Sequence, residues 1–295
     1  MAEITLATIQ AHFDAEARAG RRLLADPNTV SGLGTYLKYH QAASLMAEEG
    51  VTNVLDVGCN RGSIEALFQR LYPARAQTTL VEGVDISSEA IRQATELHLA
   101  NCNFRTYDGS RLPYADERFD LVVLVEVIEH VVEKEALLSE IRRVLRPSGR
   151  LFLTTPNPEC LALRVETALW RSLRRLLGKP QQEKDAYICN RHLEAMLSQA
   201  GFLALHLGRM YSWPHLFVCF NGWSLFPPLP PRALYHFQRL CLRLLNHNRL
   251  PEYLDKRLKW SQVGLFLKQS SDQYLRSGAS LAREDRLFLK QSGAP

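Results

Sequence analysis

The sequence is short of cysteine and has none in close pairs. Six thiols are spread over 295 residues, at positions 59, 102, 160, 189, 219 and 241. No CxxC occurs and no Cys/His spacing matches zinc, so neither a disulfide framework nor a zinc knot is indicated. Isolated buried thiols in a reducing compartment are the simplest reading. Long apolar runs are also lacking: none approaches the ~18–20 residues of a membrane span. The opening MAEITLATIQAHFDAEARAG has mixed charge and no apolar signal core. A soluble, cytoplasmic protein is therefore expected, with a core built in one elaborated domain or two small ones.

Charge is unevenly distributed. Residues 1–158 carry 16 Lys/Arg against 21 Asp/Glu, whereas residues 159–295 carry 20 against 10. A basic half suits an anionic partner such as a phospholipid surface, a nucleic acid or an acidic substrate, or it is simply a solvated surface.

Along the chain, residues 1–50 read as a helical cap, with TYLKYHQAASLMAEEG ending at Gly50 as a C-cap. Strands then alternate with helices. NVLDVG, TLVEGVDI, NFRTYDG, FDLVVLVEV and RLFLTTPN read as strands. SIEALFQRLY, SSEAIRQATELHLA and KEALLSEIRRVLR read as helices, the second capped by Ser87 or Ser88 and the third closed by the Pro-Ser-Gly turn at 147–149. The nearly continuous apolar centre of FDLVVLVEV marks a strand buried on both faces. The rhythm predicts an α/β fold with a mostly parallel sheet and helices on both faces. Residues 51–158 form the core unit. A basic amphipathic helix or lid follows at 159–180. The rest of the fold occupies 181–270, with a helical insertion at about 213–260, and 271–295 is expected to be a disordered tail.

The turn in VLDVGCNRGSIEALF carries the first functional signal. Gly58 and Gly62 let a ligand approach the amides at a helix N-terminus. A dinucleotide fingerprint needs glycines at 60 and 63, where this chain has Asn60 and Ser63. Asn tolerates a left-handed backbone better than most residues, so the turn survives Asn60.

DVGCNRG, the acid Asp85 in VEGVDIS, YDGSRLPYADERFDLVVLVEVIEHV and LSEIRRVLRPSGRLFLTTPN together resemble, in unbroken order over about residues 50–160, the class I S-adenosylmethionine-dependent methyltransferases. The likeness is greatest to the ubiquinone-biosynthesis O-methyltransferase type. It implies a Rossmann-like seven-stranded sheet with S-adenosyl-L-methionine as cofactor. It also implies that Asp56 faces the methionine ammonium and that Gly58 and Gly62 admit the cofactor to the backbone. By the same resemblance Asp85 accepts the ribose hydroxyls, Asp108 accepts from the adenine amino group, and Ile86, Gly109 and Val125 lie beside the cofactor. Asp85 could also cap the following helix beside Ser87, a role compatible with the first, and Asp108 could be a turn former before Gly109.

A sulfonium methyl is already activated, so the protein must align a nucleophile and, for a hydroxyl, remove a proton. EVIEH is the place to look. If helical, it puts Glu126, Glu129 and His130 at i, i+3 and i+4 on one face. Such a trio could hold Mg2+. Alternatively, His130 with Glu126 could act without metal, or the stretch could be structural. His192 reads as part of an ordinary helix rather than as a further ligand.

For the acceptor, residues 160–179 alternate an apolar stripe (Leu161, Val165, Leu169, Leu173) with Arg164, Arg171, Arg174, Arg175 and Lys179, and residues 232–249 repeat the pattern. Either a lid or an interfacial helix on anionic lipid has this form. Both readings favour a hydrophobic small-molecule or lipid-like methyl acceptor, with peripheral membrane contact under the second. An RNA 2′-O or RNA-end methyltransferase and a non-catalytic cofactor-binding adaptor at a membrane are the alternatives. The region lacks the regular aromatic-basic interleaving of single-strand RNA binders.

Overall fold

A computed structural model describes residues 6–19, 23, 30–160, 164, 188–210 and 261–269. Two helices come first, α1 (Leu6–Arg18) and α2 (Val30–Met46). Then follow β1 (Asn53–Val57), α3 (Ser63–Leu71), the short α4 (Pro73–Ala76), β2 (Leu80–Asp85), α5 (Ser88–Thr95), β3 (Cys102–Thr106) and β4 (Phe119–Val125). A 3-10 turn (Ile128–His130), α6 (Lys134–Val144), β5 (Leu145–Pro156), α7 (Asn190–Gln199), β6 (Phe202–Met210) and β7 (Ser261–Lys268) complete the described elements. The seven strands form one sheet in the order β3-β2-β1-β4-β5-β7-β6. Only β7 runs antiparallel to its neighbours. This is the Rossmann-like, mostly parallel sheet that the sequence led us to expect.

Apolar alternation explains why the sheet is covered on both sides. Along β4, Val122 and Leu124 pack with Leu137, Leu138 and Ile141 of α6 and Leu193 and Leu197 of α7. Leu121, Val123 and Val125 face the other way, into Ala42, Leu45 and Met46 of α2 and Ile64 and Phe68 of α3. Phe68 and Phe152 are fully buried in that second core. Truncating either to Ala would cost about 3–5 kcal/mol by the usual cavity penalty.

Local details refine the expected boundaries. Ser87 is the N-cap of α5, its Oγ accepting from Ala90 N at 3.1 Å. α2 ends at Met46, and Gly50, at φ 84, closes the turn beyond it rather than the helix itself. The Pro-Ser-Gly triplet lies within β5 as a register shift against β4, with Ser148 at φ 61. β5 thus begins five residues earlier than the apolar run RLFLTTPN suggests.

The switch in strand order falls between β1 and β4, and the C-terminal ends of β1, β2 and β4 meet there. Open parallel sheets bind ligands in that crevice. The basic segment at 160–179 (apart from Cys160 and Arg164), the insertion at about 213–260 with its basic stretch 232–249, and the tail 271–295 lie outside the described residues. No helix among the described residues is long and apolar enough to cross a membrane.

Candidate functional site

The loop after β1 turns through three left-handed residues: Gly58 (φ 79), Asn60 (φ 50) and Gly62 (φ 74). Asn60 adopts the conformation expected of it. The amides of Gly58 and Cys59 donate to the Val84 carbonyl at 2.8 and 3.1 Å, which ties the loop to β2. Asn60 N donates to Asp85 Oδ2 at 2.9 Å. The two glycines answer to protein packing. A Cβ on Gly58 would lie 2.3 Å from Val127 Cγ2, and one on Gly62 would lie 3.1 Å from Phe104. Their small size therefore lets the 126–127 turn and β3 close on the loop.

Asp85 ends β2 and is 8% exposed. Besides Asn60 N, it accepts from Ser87 N at 2.8 Å. Burial raises its carboxyl above the ordinary range, and these backbone donors pull it back. Each oxygen keeps lone-pair capacity, so two hydroxyls are within its inventory. Ser87 in turn donates to Asp14 of α1, so the N-terminal cap closes over this side.

Asp56, at the end of β1, is 1% exposed, and finds no partner other than the neighbouring Glu65 carboxyl. Glu65, in the first turn of α3, is likewise buried and shares that contact. The two carboxyls face one another. Burial drives both upward, Asp56 well above the usual range with Glu65 adding to the shift, and Glu65 to about 7. Sequence reading selected Asp56 but missed Glu65. An acid at the third position of a helix is an ordinary response to the helix dipole, and nothing in the pattern shows that it points inward.

Asp108 follows β3 on the surface and accepts from Ser110 N and Oγ at 2.9 and 2.6 Å, contacts that lower its carboxyl. It is thus a turn former beside Gly109, which sits at φ 78. Ile86 is half-buried just past Asp85, and Val125 is 9% exposed at the end of β4.

The EVIEH stretch is not an α-helix. Glu126 stands at φ 56, a left-handed break, and only Ile128–His130 form a 3-10 turn. The expected one-face trio does not form. Glu126 Oε2 pairs with Lys38 Nζ at 3.2 Å, and its Oε1 accepts from Thr154 Oγ1 at 2.9 Å. Glu129 is buried, accepts from Thr155 Oγ1 at 3.0 Å, and is pushed up to about 8 by burial and then by Glu126. A carboxylate already neutralised by lysine and another that favours its proton make a poor donor set for Mg2+. No group of three His/Cys/Asp/Glu among the described residues is arranged to hold a metal. The residues do not fit the ion. His130 stays a third exposed (31%), with Nε2 4.0 Å from Glu129 Oε1 and its ring edge-on to Phe13 of α1 at 5.3 Å. His192 lies exposed on α7.

A profile of the methyltransferase domain family matches residues 12–207, two thirds of the chain. The protein belongs to the methyltransferase domain family. The ubiquinone/menaquinone biosynthesis C-methyltransferase of Desulfotalea psychrophila is 31% identical over 145 residues, covering 48% of this chain and 56% of that one. The fatty-acid O-methyltransferase of Mycolicibacterium smegmatis is 32% identical over 121 residues (41% and 42% covered). The ubiquinone biosynthesis O-methyltransferase of Cereibacter sphaeroides is 30% identical over 154 residues (50% and 59% covered). The chain thus spans about half the length of these curated relatives. Among solved structures, the magnesium protoporphyrin IX methyltransferase of Synechocystis, determined with S-adenosylhomocysteine bound, superposes with a TM-score of 0.57 at 15% identity, covering 90% of this chain and 99% of that one. That likeness confirms the class I methyltransferase fold.

This methyltransferase-family chain suits the family's cofactor. Asp56 and Glu65 are dry carboxyls without a cation, and Asp85 offers paired oxygens at the neighbouring strand end. S-adenosylmethionine carries an ammonium at its amino-acid end and a diol on its ribose, which match these two acid positions.

Proposed function

We propose that the protein transfers a methyl group from S-adenosylmethionine to a hydroxyl of a hydrophobic small-molecule or lipid-like acceptor. The observation that carries the hydroxyl reading is His130, a partly exposed imidazole just past the C-terminal end of β4 and beside the buried Glu129. A hydroxyl must lose a proton as it takes the methyl group, and a positioned imidazole is suited to accept it. When bound, the cofactor supplies the electrophilic sulfonium methyl. The chain's own residues do the rest. Asp56 and Asp85 fix the cofactor's two polar ends, Val125 and Ile86 offer it apolar walls, and Phe13 holds the His130 ring. Glu129 stands 4.0 Å away, and giving up its own proton as His130 gains one would leave a carboxylate to balance the imidazolium. Glu126, locked to Lys38, positions α2 against β4 and is not assigned as the base. The helically spaced apolar residues in the sequence at 160–179 and 232–249 support an acceptor of low polarity.

The test is label transfer from methyl-labelled S-adenosylmethionine to a panel of alkyl phenols, fatty acids and hydroxylated lipids, each paired with its hydroxyl-blocked analogue. Label on free hydroxyls only is expected. Equal labelling of blocked analogues, at carbon or nitrogen, would overturn the O-methyl reading.

A further inference from the structure

The buried acids hold more negative capacity than one ligand contact explains. Asp56 and Glu65 together present four carboxyl oxygens whose side-chain bonding is confined to the contact between the two carboxyls. Tyr39 of α2 lies within their electrostatic reach, and its hydroxyl is pushed up to about 12, first by burial and then by Asp56, Glu126 and Glu65. The neighbouring Cys59 thiol is also driven up, by burial and by Glu65, Asp56 and Asp85. The charged groups that face this nest are therefore Asp85 from β2, Glu126 after β4, Lys38 from α2 and Arg61 from the loop. Lys38 is committed to Glu126. Arg61 is the cation felt at Tyr39, and its effect ranks behind those of the acids.

We infer that Glu65 is a second acid for the cofactor's α-ammonium, acting beside Asp56, so that cofactor capture expels a proton held by the pair. This rests on the cofactor reading above. Without ligand, two facing carboxyls in a dry site cannot both carry charge, and a shared proton is the cheaper state. An ammonium brings both the positive charge and donors for the acceptor positions that the shared proton leaves unfilled. The balance is simple: the ammonium enters as a cation, one carboxyl proton leaves to solvent, and no covalent bond changes. Glu65 is a positioning residue that never touches the transferred methyl.

Proton release makes affinity depend on pH. The ammonium binds the ionised pair, so affinity rises with pH until the pair is ionised in the free protein. Burial raises both carboxyls, so binding of S-adenosylhomocysteine should tighten as pH rises from 6 through the neutral range, by up to about tenfold per pH unit for each linked proton. Calorimetry in buffers of different ionisation enthalpy should count at least one proton released at pH 6. Glu65→Gln should flatten the pH dependence. Binding of 5′-methylthioadenosine, which has no ammonium, should show neither effect. If Glu65→Gln fails to fold, the proton count on the wild-type chain with the two ligands decides alone. An unchanged slope in Glu65→Gln, pH-independent homocysteine binding, or equal proton release with methylthioadenosine would overturn the inference while leaving the cofactor reading intact. Failure of S-adenosylhomocysteine to bind at any pH would remove both.

Discussion

Replacing Gly58 with alanine tests the loop geometry most severely. Two costs add. The residue sits at φ 79, and a left-handed backbone costs an L-residue about 1–2 kcal/mol. The new Cβ would lie 2.3 Å from Val127 Cγ2, and overpacking of this kind costs about 1–3 kcal/mol. The sum is about 2–5 kcal/mol, a large fraction of the ~5–15 kcal/mol that holds most domains together. The two terms can be separated. Val127→Ala removes both clashing methyls and by itself forfeits about 1 kcal/mol of partly buried apolar surface. In the double variant the clash is gone and the backbone term remains. Urea unfolding of all four proteins should therefore give a favourable coupling of about 1–3 kcal/mol between the two sites. Gly58→Ala within about 0.5 kcal/mol of wild type, the usual range for a neutral surface change, would refute the geometry. Strict additivity with Val127→Ala would refute the clash as its cause.

Other predictions address the chemistry. His130→Gln should lower kcat by about 10²–10⁴, the usual worth of a general base, with little change in the Kd for S-adenosylhomocysteine; parallel losses in both would make His130 structural. A chelator should leave turnover unchanged, since Glu126 and Glu129 have other partners; loss of activity restored by Mg2+ would contradict that assignment. Glu129 should destabilise the protein as pH rises. Its folded value, about 8, lies above its ordinary one, so its proton favours the native state, and that stabilisation is fully present below about pH 4.5 and lost as pH rises through 8. Melting temperatures should therefore favour Glu129→Gln over wild type more at pH 8.5 than at pH 5. Lys38→Met leaves the part-exposed Glu126 carboxylate with Thr154 Oγ1 as its side-chain donor and should cost about 1–3 kcal/mol, with Glu126→Gln recovering part of it; a silent Lys38→Met would show that the pair contributes nothing.

What the sequence revealed follows from what kinds of interaction leave local traces. Strands buried on both faces must be apolar throughout, so β4 and β5 announce themselves, and the glycine-spaced turn marks the ligand end of β1. Asn60 is legible because few side chains accept its backbone angle. The EVIEH stretch misled for the converse reason. Its spacing fits a helical face, but the chain leaves β4 through a left-handed Glu126, whose angle is fixed by its amide donating to the Thr154 carbonyl at 2.9 Å and by its side-chain contacts with Lys38 and Thr154. Those partners lie far away in sequence. The same holds for Glu65 opposite Asp56, Asp14 against Ser87 and Phe13 against His130: each is an unremarkable helical residue until the cap helices and α3 are packed onto the sheet.

The central claim is that the acids at the ends of β1 and β2 hold an S-adenosyl cofactor. A thermal-shift titration with S-adenosylhomocysteine, with NAD as control, tests it most directly. A ligand that binds only the native state adds about 2.7 kcal/mol at a hundredfold excess over its Kd. The melting temperature should rise with the homocysteine, stay fixed with NAD, and stop responding in Asp85→Ala. No shift with the homocysteine, or an equal shift in Asp85→Ala, would contradict it.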